Sequence, residues 1–451
     1  MIFGYIYSTY AQDFIIKKIN VTGNEKTKID VILRELPFRI FDTIKYNDFE
    51  NKLQMAKDNL LKTSLFNFVD IKNDFYENET VIDIHVEERW YYWIYPILEY
   101  ADRNLSSFIY YNDFKRINYG AAFDWHNFRG KNELLRFKIR LGYKEQYSIS
   151  YQKKGIGKKR ILGLWTISEF NRQKKIISEI QENKPIYIEH LERYILNDIN
   201  LGFGTTFRPK INYKINAGTI FKQTIIDNQQ NFGDKSNTMY FIPKIKYEFD
   251  NRNSVIFPTS GLLIYTSFSA NIGLNKFSNN YYTIASKIEY NKPVFKKIIF
   301  YQIASSHKQI FNYDKKIEFN HKLDFCSDNM IRGFEYYYLL SPVFYNIQNT
   351  VNFKISDFKI HYLPTFLPEK FKKTYTKVYL NVFFDAGFTH KSQKFYTISN
   401  PFNDKIIYSS GAGITIETYY DRIFQINAIY NANINNFGIF VEWKAPLYKL
   451  F

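Results

Sequence analysis

The stretch Val378-Tyr-Leu380-Asn-Val382-Phe-Phe384-Asp385 repeats every two residues. Val378, Leu380, Val382 and Phe384 fall on one face of an extended chain, and Tyr379, Asn381, Phe383 and Asp385 on the other. The first face is apolar throughout; the second carries the polar groups. Gly411-Ala412-Gly413-Ile414-Thr415-Ile416-Glu417 behaves alike, with Ala412, Ile414 and Ile416 opposite Thr415 and Glu417. In a soluble sandwich such apolar faces point inward, whereas in a membrane barrel they meet lipid and the polar faces line a lumen. The pattern alone does not orient the faces.

Length and composition favour the barrel. From Arg89 to Phe451 alternation replaces almost every helical period, and roughly 360 residues at ~10 per strand plus turns and loops suit about sixteen strands. The 43 Phe, 39 Tyr and 5 Trp make 19% of the chain aromatic, and Tyr and Trp, apolar rings with a polar tip, suit the two interfacial girdles of a barrel. Trp90-Tyr-Tyr-Trp93 lies where the chain would meet the membrane. The longest charge-free stretch, Ser254 to Asn275, is interrupted by Pro258, Gly261 and Gly273, so it reads as strand and turn rather than a spanning helix. Residues 89–451 are therefore expected to form one closed membrane β-barrel of sixteen antiparallel strands.

Charge and cysteine content exclude other classes. The 61 Lys+Arg against 44 Asp+Glu give a net +17, which fits nucleic acid, an anionic membrane surface or a lysine-rich codon bias. Lysines are spread over nearly every segment and no recognition module occurs, which puts a nucleic-acid partner last. A single Cys rules out a disulfide framework and a cysteine-built metal site.

Two segments precede the barrel. Residues 1–13 resemble the tail of a secretory leader, with Thr9 and Ala11 before Gln12, although a basic start is missing. Residues 14–88 then change period. Ile15, Ile16, Ile19 and Val21 make a strand closed by Gly23-Asn24, and Ile29, Ile32, Leu33 and Leu36 recur at helical spacing before Pro37. A second helical pattern runs from Asn47 to Lys62, with Phe49, Leu53, Ala56, Leu60 and Leu61 on one face. Phe66, Phe68, Val69 and Ile71, then Val81, Ile82, Ile84 and Val86, give two strands around the turn Tyr76-Glu-Asn-Glu79. The expected order is β-α-α-β-β.

Ile19-Asn-Val-Thr-Gly23-Asn24, Leu33-Arg-Glu-Leu36 and Thr63-Ser-Leu-Phe66-Asn-Phe-Val69-Asp-Ile71 make this segment resemble a POTRA domain, a small α+β module. The resemblance implies a periplasmic domain that offers a sheet edge to extended client chains, which unpaired backbone groups allow. Four barrel motifs point the same way. Asp124-Trp-His-Asn127-Phe128-Arg-Gly130-Lys-Asn132-Glu133-Leu134 resembles the first hairpin turn of the outer-membrane assembly-factor superfamily, which includes BamA, TamA and the two-partner secretion transporters and combines POTRA domains with a surface-antigen barrel. Phe249-Asp250-Asn-Arg252 with Phe257-Pro258-Thr259-Ser260-Gly261 resembles its mid-barrel periplasmic turn. Ile331-Arg332-Gly333-Phe334 is similar to its Arg-Gly-aromatic loop motif, and Phe383-Phe-Asp385-Ala-Gly387 to its lumenal strand motif.

The resemblance implies an outer-membrane location in a Gram-negative-type bacterium, a loop folded back into the lumen, and a lock between Arg332-Gly333-Phe334 and Asp385 with Gly387. Arg332 and Asp385 are expected to pair bidentately. The sequence departs from the family pattern at Ser327-Asp-Asn329, where a double glycine is usual, and around Thr350 to Asn352, where an acidic residue is usual. It also has room for one POTRA where assembly factors carry several. Gln152 to Asn200 matches nothing closely and reads as strands extended beyond the bilayer or solvated loops.

No G-x-S-x-G, Walker A, H-E-x-x-H or zinc spacing occurs, so no catalytic residue, cofactor or metal is expected. Gly155-Ile-Gly157-Lys158-Lys159-Arg160 reads as a basic turn near lipid headgroups. The last strand, Gly438 to Pro446, sets Ile439, Val441 and Trp443 toward lipid, and Pro446, without an N–H, limits its pairing to the first strand, read as Asn118 to Phe123. A short, weak seam is expected. By resemblance the chain is an insertase that templates other barrel proteins at its POTRA edge and seam, with unfolded outer-membrane proteins, outer-membrane lipids and accessory lipoproteins as partners. The alternative is a dedicated translocator of one secreted protein; a passive pore comes third.

Overall fold

A short α+β module leads into a single large sheet. The structure, a computed structural model, describes residues 13–100, 117–157, 159–181, 184–190, 193–227, 236–295, 298–312, 331–335, 337, 339, 341–360, 369–371, 374–390 and 402–444. The leader up to residue 12, Lys158, Ser327 to Asn329 and Pro446 lie outside the described residues.

The module contains β1 (Asp13–Thr22), α1 (Ile29–Leu33), β2 (Thr43–Lys45), α2 (Tyr46–Lys62), β3 (Phe66–Tyr76) and β4 (Glu79–Glu88). Its sheet runs β2-β1-β4-β3, with β1 parallel to β4 and the other pairs antiparallel, so β2 and β3 are the edges. The periodic face of α2 supplies Phe49, Leu53, Ala56 and Leu60 to a core with Ile16, Ile82 and Ile84. Two features differ from the expected order. The helical spacing before Pro37 yields only the short α1, which buries Val31 and Ile32 and leaves Ile29 and Leu33 at 51% and 36% exposure. The Lys28 N–H is already committed to the Gly130 carbonyl at 2.9 Å, and Pro37 disfavours helix at the preceding residue, so the helix cannot grow either way. Strand β2 was missed because Thr43-Ile-Lys is too short to display a period.

The barrel strands are β5 (Tyr92–Tyr100), β6 (Ile117–Phe128), β7 (Glu133–Gly142), β8 (Lys144–Ile156) and β9 (Leu162–Gln173). Next comes a separate hairpin, β10 (Lys175–Gln181) with β11 (Lys184–Glu189), which extends this part of the wall on the side away from the module. The wall resumes with β12 (Leu196–Phe207), β13 (Tyr213–Ile226), β14 (Ser236–Asp250), β15 (Gly261–Gly273), β16 (Tyr281–Phe295) and β17 (Ile299–Phe311). It finishes with β18 (Val343–Ile360), β19 (Thr374–Thr389), β20 (Ile406–Thr418), β21 (Arg422–Asn431) and β22 (Asn436–Lys444). Together these form one 16-stranded sheet in which neighbours pair antiparallel in chain order from β5 to β22, with β9 meeting β12 across the hairpin.

Exposure orients the faces. On β19, Leu380, Val382 and Phe384 are 45%, 46% and 47% exposed, whereas Tyr379, Asn381, Phe383 and Asp385 are buried. Apolar side chains point out and polar ones in, the arrangement of a membrane barrel and the reverse of a soluble sandwich. Among the described residues no helix is long and apolar enough to cross a membrane. Two readings of the sequence are corrected. The first barrel strand is β5, not the Asn118 to Phe123 segment, which lies in the second strand, β6. The basic turn ending at Arg160 faces the module rather than lipid, because Arg160 is committed to Asp30 at 2.9 Å.

Candidate functional site

The described residues singled out as a lock, a periplasmic turn and a seam strand fall on the lumenal wall, at the mouth on the module side and on the edge strand β22. Parity on β19 turns Asp385 inward, where it is fully buried. A buried carboxylate needs partners, and Arg332 supplies them. Its Nη2 donates to Asp385 Oδ1 at 2.6 Å, its Nε to Oδ2 at 2.7 Å and its backbone N–H to Oδ2 at 3.1 Å. The guanidinium lies 3.7 Å from the centre of the Phe383 ring, a cation–π contact. Its Nη2 also donates to Thr350 Oγ1 at 3.0 Å, so a hydroxyl takes the place where the family pattern has an acid.

The loop tip is held on further strands. Ser409 of β20 donates to the Arg332 carbonyl, and Asn431 of β21 donates to the Gly333 carbonyl at 2.7 Å. Gly333 has φ +87°, and a Cβ there would sit 2.9 Å from Ile429. At Gly387 a Cβ would come within 2.1 Å of Ile331 Cδ1, so the bare backbone is what lets the loop lie on the wall. Phe334 is buried edge-on against Phe402 at 5.4 Å, in a cluster with Ile331, Leu339, Phe344 and Ile407.

The mid-barrel turn between β14 and β15 reaches into the same lumen. Arg252 bonds both oxygens of Asp250, at 3.0 and 2.9 Å, and crosses to Glu289 of β16 at 2.8 Å. Phe257 packs at a tilt on lumenal Tyr379, with ring centres 4.4 Å apart, and Pro258 follows it. Gly261 opens β15 at φ +105°. Between this turn and the Arg332 loop lies a cavity of about 350 Å³, whose walls include Arg252, Phe257, Glu289, Thr350 and Asn381.

Sequence reasoning missed how the module closes on the mouth. At the β6–β7 turn, Asn127 donates to Thr27 Oγ1 at 2.8 Å, and the Thr27 N–H donates to Glu88 at 2.7 Å. Burial and then the Glu88 charge push the neighbouring Tyr91 phenol up. At the β8–β9 turn Arg160 pairs with Asp30, and its carbonyl accepts Arg34 Nε at 2.8 Å. At the β12–β13 turn Arg208 grips Glu35 with bonds of 2.6 and 2.8 Å, and its carbonyl accepts Arg34 Nη2 at 2.7 Å. Burial alone would raise the Glu35 carboxyl, but the charge and hydrogen bonds of Arg208, with Arg34 beside it, hold it below its ordinary value. Lys62 donates to the Asp250 carbonyl at 3.1 Å, and Arg89 pairs with Asp421 of the β20–β21 turn at 2.7 Å. One signal was available: Arg34-Glu35 is a charged pair set between Leu33 and Leu36, where an apolar face was expected. Beside the docked module a cavity of about 660 Å³ remains, with Phe68, Val69 and Asp70 of the edge strand β3 on one side and Phe257, Tyr375 and Tyr419 on the other.

At the seam, Ile439 and Trp443 point outward, each 65% exposed, Val441 is half-buried and Phe440 is buried inside. Strand β22 pairs with β21 and β5 with β6; among the described residues no backbone pairing joins β22 to β5.

Comparison with known proteins places this geometry. The Omp85 superfamily domain matches residues 127–418, and a POTRA family described as surface antigen variable number repeat matches residues 14–89. No curated protein sequence matches. Among solved structures the chain is similar to BamA from Haemophilus ducreyi lacking POTRA domains 1–3, with a TM-score of 0.54 at 13% identity over 95% of this chain and 83% of that one. CdiB from Escherichia coli gives 0.53 at 10% identity over 96% and 76%, and CdiB from Acinetobacter baumannii 0.51 at 11% over 96% and 73%. At these identities the likeness is one of fold.

Proposed function

The chain belongs to the Omp85 superfamily, a family of outer-membrane barrels with periplasmic POTRA modules, and on that premise we propose that it inserts other β-barrel proteins into the outer membrane. The observation that carries this reading is the pair of sheet edges at β5 and β22, which have no backbone pairing to each other among the described residues. An unfolded client cannot enter lipid with bare N–H and C=O groups, each of which costs several kcal/mol there. An edge strand in the bilayer presents the complementary row of groups, so a client strand can satisfy its backbone and that of the edge together. Strand pairing supplies the driving force, and no catalytic residue, cofactor or metal is required.

The module offers a second edge at β3, which borders the larger cavity at the mouth. Client chains are captured there by β-augmentation and passed to the seam. The lumenal residues Arg332, Gly333, Phe334, Asp385 and Gly387 act as a lock that keeps the wall in its working shape, and Asp250, Arg252, Pro258 and Gly261 shape the turn facing it. Ile439, Val441 and Trp443 present the seam strand to lipid and client. Occupation of the lumen by the mid-barrel turn and the Arg332 loop favours this reading over passage of a secreted partner through the pore. Depletion of the protein, followed by quantification of all outer-membrane proteins, tests it. A broad loss of barrel proteins is expected; unchanged barrels with loss of one secreted protein would instead establish a dedicated translocator.

A further inference from the structure

At its module-side end β5 is tied by side chains to the β20–β21 turn, whose strand β21 carries the other edge strand, β22. Residues Arg89 to Tyr91 connect β4 to β5. Arg89 donates bidentately to Asp421, at 2.7 Å from Nη1 and 3.2 Å from Nη2, and its guanidinium lies 5.6 Å from the centre of the Tyr420 ring. The Trp90 N–H donates to the Tyr420 hydroxyl at 3.1 Å, and Trp93, at the base of β5, packs edge-on against Tyr420 at 4.9 Å. Phe371, from the β18–β19 connection, closes the group at 6.0 Å from Trp93 and 5.4 Å from Tyr420. In the strand order β5 and β22 are the two ends of the sheet, and the base of β5 reaches the turn that precedes β21.

The receiving turn has an unusual backbone at its ring residue. Tyr420 and Asp421 both have positive φ, +60° and +57°, which an aspartate tolerates in a hairpin turn but a ring side chain keeps only where its surroundings impose it. The connection to the module is direct as well. Arg89 Nε donates to the Phe66 carbonyl at 2.9 Å, at the first residue of the edge strand β3, and Ser64 donates to Asp421 at 3.4 Å.

We propose that Arg89 and Asp421, with Trp93 and Tyr420, form a side-chain clasp that holds the module-side end of the seam and sets how far β5 parts from β22. They are positioning residues. Their bond to Phe66 makes the clasp the point at which occupancy of β3 is felt by the seam. The bidentate pair fixes direction as well as distance, because the planar guanidinium matches the carboxylate in one orientation, and a lysine keeps the charge but loses that constraint. The inference deepens the insertase reading and rests on its seam.

The test uses the full chain in lipid nanodiscs, with Cys326→Ser and spin labels at the outward-facing pairs Ile94 and Trp443, near the module, or Leu98 and Ile439, farther from it. Electron-electron distances are measured without any client. Arg89→Ala and Asp421→Ala are each expected to shift the near pair to longer and broader distances, and to shift it more than the far pair. Arg89→Lys should give an intermediate shift, and the exchanged pair Arg89→Asp with Asp421→Arg, which restores the ion pair but not the bond to Phe66, should recover part of the wild-type distribution. Heat-modifiable migration in a gel selects folded barrel, and if an alanine variant fails that check, Arg89→Lys and the exchange carry the decision. An unchanged near-pair distance in the single variants, or no recovery in the exchange, overturns the clasp. Since no client is present, an intact distance shift alongside unaltered outer-membrane barrels on depletion would sink the insertase reading and leave the clasp standing.

Discussion

Arg332–Asp385 in the lumen and Arg208–Glu35 at the mouth have the same chemistry and do different work. In each a guanidinium grips a buried carboxylate through two hydrogen bonds. The lumenal pair lies within the barrel and fixes a loop against four neighbouring strands; the mouth pair spans 173 residues of sequence and fixes one folding unit against another. Isolation separates them further. Asp385 has Arg332 as its cationic partner, whereas Glu35 also has Arg34 at 3.7 Å. Loss of a partner in the lumen strands a charge, while loss at the mouth redistributes one.

That contrast can be broken most severely in the lumen. Arg332→Ala or Asp385→Ala should each cost about 3–5 kcal/mol locally, the penalty of leaving a buried charge unpaired. The double variant should be little worse than the worse single one, because the two residues act as a unit. Heat-modifiability in gels and, on the insertase reading, the levels of other outer-membrane barrels report both effects, and fully additive losses would show that the two residues do not work together.

At the mouth the expected effect is smaller. Arg208→Ala removes both bonds to Glu35, but Arg34 stays beside the carboxylate, so the net cost is expected to be about 1–3 kcal/mol. The barrel should stay folded while the module loosens, seen as faster amide exchange across Thr27 to Leu36 with barrel strands unaffected. If the barrel strands exchange faster to the same degree, the mouth pair is part of the barrel's own stability.

Acid sharpens the same comparison. The Glu35 carboxyl is held below its ordinary value of 4.5 in the folded protein. A depressed carboxyl contributes stability that is fully present above its unfolded value and is lost as pH falls through the folded one. Module docking should therefore be constant from neutral pH down to about 4.5 and weaken only below that. Limited proteolysis of the module–barrel junction across this range checks it, and loosening between pH 7 and 5 would point to another group.

The smallest expected effect is at Gly333. Alanine there meets a left-handed backbone costing about 1–2 kcal/mol and a Cβ contact of 2.9 Å with a movable Ile429 methyl. Partial loss of heat-modifiability is expected without loss of assembly, and full wild-type behaviour would mean that the loop tip relaxes freely.

Much of this was legible before any coordinates. Alternation on β19 and β20 gave the strands and their faces, because a period of two survives wherever one face meets lipid and the other the lumen. It failed on β5. There the inward set Trp93, Tyr95 and Ile97 is as apolar as the outward Ile94 and Leu98, so no polar face marked the strand. The pairing of Arg332 with Asp385 could be anticipated from motifs on a loop and a strand of known parity. The pairing of Arg208 with Glu35 could not, because docking of two units depends on turns whose relative placement no local pattern encodes.

The connection Arg89 to Tyr91 carries one more consequence. It is short, and with Tyr91 buried in the module's core and Arg89 bonded to Phe66 it is not a flexible linker. A chain segment bound along β3 is therefore carried in the same body as β5, and its meeting with the seam is unimolecular. The rate of that meeting depends on an effective concentration set by geometry, of millimolar order for short tethers, rather than on how dilute clients are in the periplasm. On the insertase reading, hand-over after capture would then be independent of client concentration, and a flexible insertion after Glu88, which parts Arg89 from Phe66, would slow it as the tether lengthens.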